Sequence, residues 1–273
     1  MGERRLEELI YIGARRLIEN DKKHSFVSSE EFFVNNAPLE ANTIIFGVSP
    51  YLYQKRNNLP NKVNFKDIEK KISMLTYKKI IFLSSASVYG FNNNKNMFSE
   101  KDDLLGTTPY AEEKIRFESM IMQRSKKINS SCIIMRIAGL YELNPNIYRI
   151  DNFLDKIFFN LRDKKKVKLN LFHAGNQIRN FCSINFLKKV IDNLICNHDD
   201  SVIYNVANTS SIKLINLIQK LNYYLKTPLH IDMQISTESF IHNSLNCSAL
   251  LRDYPELSYL VIDEDKLAKI IAG

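Results

Sequence analysis

Ile80-Ile81-Phe82-Leu83-Ser84-Ser85-Ala86-Ser87-Val88-Tyr89-Gly90 opens on four apolar residues and closes on hydroxyls and a glycine. An unbroken apolar run of this length reads as a strand buried on both faces, the kind found in parallel sheets. Further on comes Thr108-Pro109-Tyr110-Ala111-Glu112-Glu113-Lys114. Pro109 is pre-set to open a helix. The four-residue step from Tyr110 to Lys114 puts both side chains on one helix face. A phenol beside a fixed ammonium becomes the stronger acid, because the cation favours phenolate. A serine hydroxyl at a neighbouring strand end, Ser85, can bind the same substrate oxygen. This is equipment for moving a proton on or off an alcohol or a carbonyl.

Outward from this stretch, strands alternate with helices. Leu9 to Ile12 is a short apolar run before Gly13, consistent with a first strand. Phe26-Val27 or Phe32-Phe33-Val34 supplies the second, and Asn42 to Gly47 is a buried parallel strand. Ile68 to Leu75 reads as a helix, Ile80 to Ser84 as a strand, Tyr110 to Gln123 as a helix and Cys132 to Ile137 as a strand. Beyond Tyr141, helices are expected at Asn152 to Leu161, Ile184 to Cys196 and Ile212 to Leu225, with strands at Val167 to Phe172 and Val202 to Val206. The pattern predicts an α/β fold, a doubly wound parallel sheet with a small C-terminal lobe. The division expected is a Rossmann-like region over 1–145, shortened at its front, and a remainder of the sheet plus substrate lobe over 146–273. In such sheets ligands bind beyond the carboxyl ends of the strands.

These residues resemble the short-chain dehydrogenase/reductase superfamily, and within it the extended and atypical branches of nucleotide-sugar epimerases, dehydratases and reductases. Thr43 to Gly47 is similar to the fourth strand of that family's cofactor domain, and Ser84 to Gly90 to its Ser-Ser-x-x-Val-Tyr-Gly strand end. Ser99-Glu100, Pro109-Tyr110 and Lys114 follow in family order. Arg136 to Tyr141 resembles the next strand and its exit, Arg179-Asn180-Phe181 the Arg-Asp-Phe of the substrate domain, and Tyr204 to Ala207 a late Tyr-Asn-Val strand. The resemblance implies a catalytic set of Ser85, Tyr110 and Lys114 and an NAD or NADP cofactor touched by Gly13, Arg15, Arg16, Gly47 and Lys114. It further implies a small, phosphate-bearing substrate contacted by Ser87, Asn152 and Arg179, and a homodimer through the helix carrying Tyr110. The family's dehydratases carry an acidic pair where this chain has Ala86 and Ser87. That leaves epimerase or ketoreductase chemistry.

The first strand of such a fold leads into a glycine-rich turn that lets backbone approach a pyrophosphate. Here the turn is Gly13-Ala14-Arg15-Arg16-Leu17-Ile18-Glu19. Gly13 keeps the first glycine, while Arg16 and Glu19 replace the second and third. An arginine meets a phosphate with its charge but fills the space of a close approach. A glutamate at a helix start suits the helix dipole and repels a phosphate. With only eight glycines in 273 residues, no other stretch substitutes. Two readings follow: modified NAD(P) binding with an active Ser-Tyr-Lys set, or a non-catalytic nucleotide-sugar-binding or regulatory relative that kept the fold. Asn180 and Asn185 also depart from family aspartates, which bears on the support of the substrate lobe.

The net charge of +8 favours an anionic partner in principle, yet the densest run, Lys164-Lys165-Lys166, has no interleaved aromatic residues. It reads as solvated lysine and argues against nucleic acid. No apolar run is long enough for a bilayer, and the charged start, Met1 to Arg5, lacks a signal-peptide core. Cys132, Cys182, Cys196 and Cys247 are widely spaced and read as buried free thiols of a reducing, cytoplasmic setting. The five histidines are scattered, without metal-ligand spacing.

Overall fold

The computed structural model describes residues 7–13, 17, 24–35, 37–58, 64–90, 95, 97–144, 153–163, 175–197, 199–225 and 244–273. Among these a six-stranded parallel sheet runs through β1 (Glu7–Ile12), β2 (Ser25–Val27), β3 (Leu39–Phe46), β4 (Leu75–Ser85), β5 (Ser131–Ile137) and β9 (Val202–Val206), in the order β2-β1-β3-β4-β5-β9. The central strands are apolar because both faces are covered: Ile44, Ile45, Phe46, Ile80, Ile81 and Phe82 have no exposed surface. β1 pairs with β3 as Ile12 opposite Phe46, and β3 with β4 as Phe46 opposite Phe82. β1 and β3 therefore end level, β4 runs three residues further to Ser85, and Gly13, Gly47 and Ser85 lie at the same carboxyl edge of the sheet.

Helices α1 (Ser29–Val34), α2 (Pro50–Arg56), α3 (Phe65–Ser73), α4 (Pro109–Lys127) and α6 (Ile184–Asn197) accompany the sheet strands. The second strand is the Phe26-Val27 candidate. Phe32 to Val34 is helical, because Ser28 and Glu31 form a reciprocal capping box that commits the following residues to a helix. Leu75 opens β4, where it pairs with Leu39, and does not end the preceding helix. The chain divides into two compact units: residues 1–88, 104–136 and 191–204, and residues 89–103, 137–190 and 205–273.

In the second unit, α5 (Phe153–Arg162), α7 (Leu214–Tyr224) and α8 (Glu264–Ala272) pack around Leu154, Ile157, Leu217, Leu221, Leu267 and Ile271. Ile212-Lys213 is a strand, β10, pairing antiparallel with β7 (Ile178–Arg179), so the last long helix begins at Leu214. β6 (Gly139–Tyr141) pairs with β8 (Phe181–Ser183). Asn180 is fully employed there. Its Nδ2 donates to Thr209 O at 2.8 Å, and its Oδ1 accepts from Ser244 Oγ and Leu245 N. An amide supplies the donor that an aspartate lacks, so this departure leaves the lobe supported. Buried Tyr89 donates to Asn205 Oδ1 at 2.7 Å, and the Asn205 amide nitrogen reaches Phe98 O. Cys132 and Cys182 are buried and Cys247 half-buried, but Cys196 is exposed near the end of α6. The strand expected over Val167 to Phe172 lies outside the described residues. No described helix is long and apolar enough to cross a membrane.

Gly13 shows why one glycine of the turn persists. Its φ is +72°, and a Cβ there would lie 2.9 Å from Ser29 Oγ and from Val48 Cγ2. Gly13→Ala therefore costs about 1–3 kcal/mol through backbone strain and overpacking. The expected outcome is a lower urea midpoint with an unchanged slope.

Candidate active site

Helix α4 carries the site. Thr108 caps it, accepting from Ala111 N at 3.2 Å, and Pro109 enters its first turn. Phe117 stacks on Phe82 of β4, centroids 5.9 Å apart at 21°, and leans on Phe46 of β3 at 5.8 Å. Tyr110, Lys114, Phe117 and Ile121 recur at helical spacing, so seating Phe117 on the sheet turns Tyr110 and Lys114 towards the strand ends. Below them Glu118 forms a buried ion pair with Arg136 (Nη2 to Oε2, 2.9 Å) and accepts from Ser84 Oγ at 2.5 Å.

Ser84 and Ser85 point to opposite sides of β4. Ser84 serves the Glu118 pair. Half-buried Ser85 accepts from Ser87 N at 3.2 Å and from Ser87 Oγ at 3.0 Å. A hydroxyl has two lone pairs and one proton. With both lone pairs occupied by Ser87, the Ser85 proton is left to donate, and the Tyr110 phenol lies near enough for this hydroxyl to lower its pKa. Ser87, expected at the substrate, has its own hydroxyl turned to Ser85.

Burial pushes the half-buried Tyr110 phenol up to about 12. The Ser85 hydrogen bond pulls it down, Glu113 pushes it up and Arg56 pulls it down. This differs from the acidification expected of Lys114, and the physical reason is where that ammonium goes. Lys114 Nζ donates to Leu83 O at 2.9 Å and to Val48 O at 3.3 Å, over the Phe82 ring and 5.8 Å from the centre of the Tyr110 ring. Desolvation lowers Lys114 to about 8, against the raising influence of Glu113 and Glu118. An ammonium has three donors, and two are committed here.

Sequence reasoning missed Glu113. It is buried beside Lys114 and accepts from Ser49 Oγ at 2.5 Å and from Tyr51 N at 2.7 Å. Burial raises its pKa, while Ser49, Tyr51 and Lys114 hold it down. The signal was its place three residues after Tyr110, where a carboxylate shares the inward face. Gly13 and Gly47 lie at the strand ends, but their N–H groups are spent on Val27 O and Ile12 O, at 2.9 and 2.8 Å. Arg15, Arg16 and Asn152 lie outside the described residues. Arg179 belongs to the second unit. Its Nε is buried without a hydrogen-bond partner among the described residues, and desolvation lowers its pKa. Ser85, Ser87, Tyr110, Lys114 and the two glycines thus belong to the first unit, and Arg179 to the second.

No curated protein sequence matches the chain. Solved structures of similar fold include UDP-glucuronic acid 4-epimerase from Bacillus cereus in complex with UDP-glucuronic acid and NAD (14% identity, 96% of this chain and 90% of that one, TM-score 0.72). UDP-N-acetylglucosamine 4-epimerase from Methanobrevibacter ruminantium is similar at 14% identity, over 97% of each chain, with a TM-score of 0.71. dTDP-glucose 4,6-dehydratase from Bacillus anthracis, solved with NAD, is similar at 15% identity, over 97% of this chain and 86% of that one, with a TM-score of 0.66. At these identities the likeness establishes the fold. Residues 66–207, more than half of the sequence and including Ser85, Tyr110 and Lys114, match the NAD dependent epimerase/dehydratase family, and this chain belongs to that family of enzymes.

Proposed function

We propose that this protein is an NAD(P)-dependent epimerase or ketoreductase acting on a nucleotide sugar. The observation that carries the reading is the meeting of Ser85 and Tyr110 at the sheet edge, with Lys114 beside them. With substrate bound, the single Ser85 proton turns to the reacting oxygen, its lone pairs being engaged by Ser87. Tyr110 passes the proton to or from that oxygen. Lys114 keeps one donor for a ribose hydroxyl of the cofactor. These residues fit the reactive end of a nicotinamide dinucleotide, which when bound supplies hydride exchange with a carbinol carbon. Ala86 and Ser87 carry no carboxyl group, which supports epimerase or ketoreductase chemistry over loss of water. The buried Nε of Arg179, without a hydrogen-bond partner among the described residues, supports a phosphate-bearing substrate, since an unsatisfied guanidinium donor is costly without an anion.

A second reading, a non-catalytic nucleotide-sugar binder, draws on the turn at Gly13. Ser29 and Val48 close the space around it, and the N–H groups of Gly13 and Gly47 are committed. Titration with NADH and NADPH, followed by nicotinamide fluorescence, separates the two. The enzyme reading expects saturable binding below millimolar concentration, and its absence for both dinucleotides overturns it. Tyr110→Phe is then expected to keep NADH affinity within about threefold. Turnover of a UDP-sugar panel with NAD should fall by about 10²–10⁴-fold, followed by proton NMR of the sugar ring.

Lys114 gives this binding a pH dependence. Its value in the folded protein, about 8, means that the ammonium and its third donor exist below that pH and are lost above it. NADH affinity is expected to fall as pH rises from 7 to 9.5, by roughly tenfold for the loss of one hydrogen bond to a charged group. Lys114→Met should bind weakly and without that slope. A wild-type affinity that is flat over this range would remove Lys114 from the cofactor's contacts.

A further inference from the structure

The proposed reaction gives no task to the carboxylate of Glu113, which is 1% exposed on the inward face of α4. A buried carboxylate persists only where donors meet it. Both of its donors come from the chain leaving β3: Ser49 Oγ on one oxygen and Tyr51 N on the other. They flank Pro50, whose ring fixes φ, so two bonds define a stiff three-residue step. Ser49 also caps α2 by accepting from Leu52 N at 3.2 Å, and Lys114 holds Val48 O just before it. The last member of this fastened segment, Tyr51, lays its ring 6.2 Å from the Tyr110 ring at a tilt of 44°.

We infer that Glu113 is a positioning residue for Tyr110: it fastens the exit of β3 to α4 and so holds the Tyr51 ring against the Tyr110 ring. Tyr110 stands at the first turn of its helix. Ser85 of β4, Arg56 of α2 and Glu113 influence its hydroxyl, and Lys114 lies over its ring. Tyr51 supplies a wall on the ring itself, which narrows the directions in which the phenol oxygen can point. The value of this to catalysis rests on the role proposed for Tyr110; the placement of the ring does not.

The bonds, more than the charge, carry the effect, and this separates the variants. In Glu113→Gln the carbonyl can still accept from Tyr51 N while the amide donates to Ser49 Oγ, so the segment stays fastened. Glu113→Ala loses both bonds. The experiment is fluorine NMR of the full chain labelled with 3-fluorotyrosine, at neutral pH, with the Tyr110 signal assigned as the one missing from Tyr110→Phe. The expected result is that Glu113→Ala and Tyr51→Leu displace the Tyr110 signal in the same direction, while Glu113→Gln leaves it in place. A folded Glu113→Ala with the signal unmoved overturns the inference. So does an equal displacement by Gln and Ala, or an unmoved signal in Tyr51→Leu. If Glu113→Ala does not fold, Ser49→Ala, which removes one of the two bonds, is read in its place against the same Tyr51→Leu reference. Failure of NADH to bind would remove the proposed enzyme reading and leave these signals as they are.

Discussion

One packing contact aims the chemistry of α4: Phe117 stacked on Phe82, with Phe46 behind it. Aromatic pairs bury large area and prefer defined offsets, so they fix rotation as well as distance. Each residue along a helix turns the side chain by about 100°. Phe117 therefore decides that Tyr110 and Lys114, seven and three positions earlier, face the strand ends while Glu112 and Arg116 face solvent. The same stack sits under the Lys114 ammonium, 4.8 Å from the Phe82 centroid, and gives it a favourable ring face in place of water.

The price of that rotation is that three charged side chains, Glu113, Lys114 and Glu118, go inward with the aromatic ring. An unpaired buried charge costs several kcal/mol, and none of the three is left so. Glu118 is met by Arg136 and Ser84, Lys114 by two strand-end carbonyls, and Glu113 by Ser49 and the Tyr51 N–H. These partners lie on β5, on β4 and on the chain leaving β3, so α4 is tied by charge to three neighbouring segments of the sheet edge. A slide of the helix by one turn would break all of these contacts together. The helix is thereby fixed along its axis by polar groups and about its axis by aromatic ones.

Much of this was legible in the sequence, and the limits have physical causes. Buried parallel strands announce themselves by unbroken apolar runs, and β3, β4 and β5 carry such runs. The Tyr110–Lys114 spacing placed both residues on one helix face, and the fold brings Ser85 to the phenol. Local polar logic was harder to see. The capping box of Ser28 and Glu31 overrode the strand character of Phe32-Phe33-Val34, because two reciprocal bonds outweigh β propensity over so short a run. The direction of the Lys114 ammonium depends on which carbonyls stand free at strand ends, and spacing does not encode that. Ser87, a substrate contact by resemblance, donates its hydroxyl to Ser85 in the tight turn after β4, a bond that spacing does not encode. Glu113 passed unnoticed because a charged residue in a helix is usually a solvated one.

The altered front of the chain has a structural counterpart in the order of the sheet. β3 lies directly beside β1, and the parallel connection from β1 to β2 runs only from Gly13 to His24, near the minimum for such a crossover. Gly13 is retained at the point where its absent side chain leaves room for Val48, a residue of the β3 exit. The packing demand on this glycine thus comes from the protein itself. The Gly13 and Gly47 amides are committed to neighbouring strands, while the polar ties of this edge gather at the ends of β3 and β4. Those are the two places that α4 grips, through Val48, Ser49, Tyr51 and Leu83. A chain that gives up glycines at one strand end and adds a buried carboxylate at the next has moved its rigidity along the edge, towards the phenol.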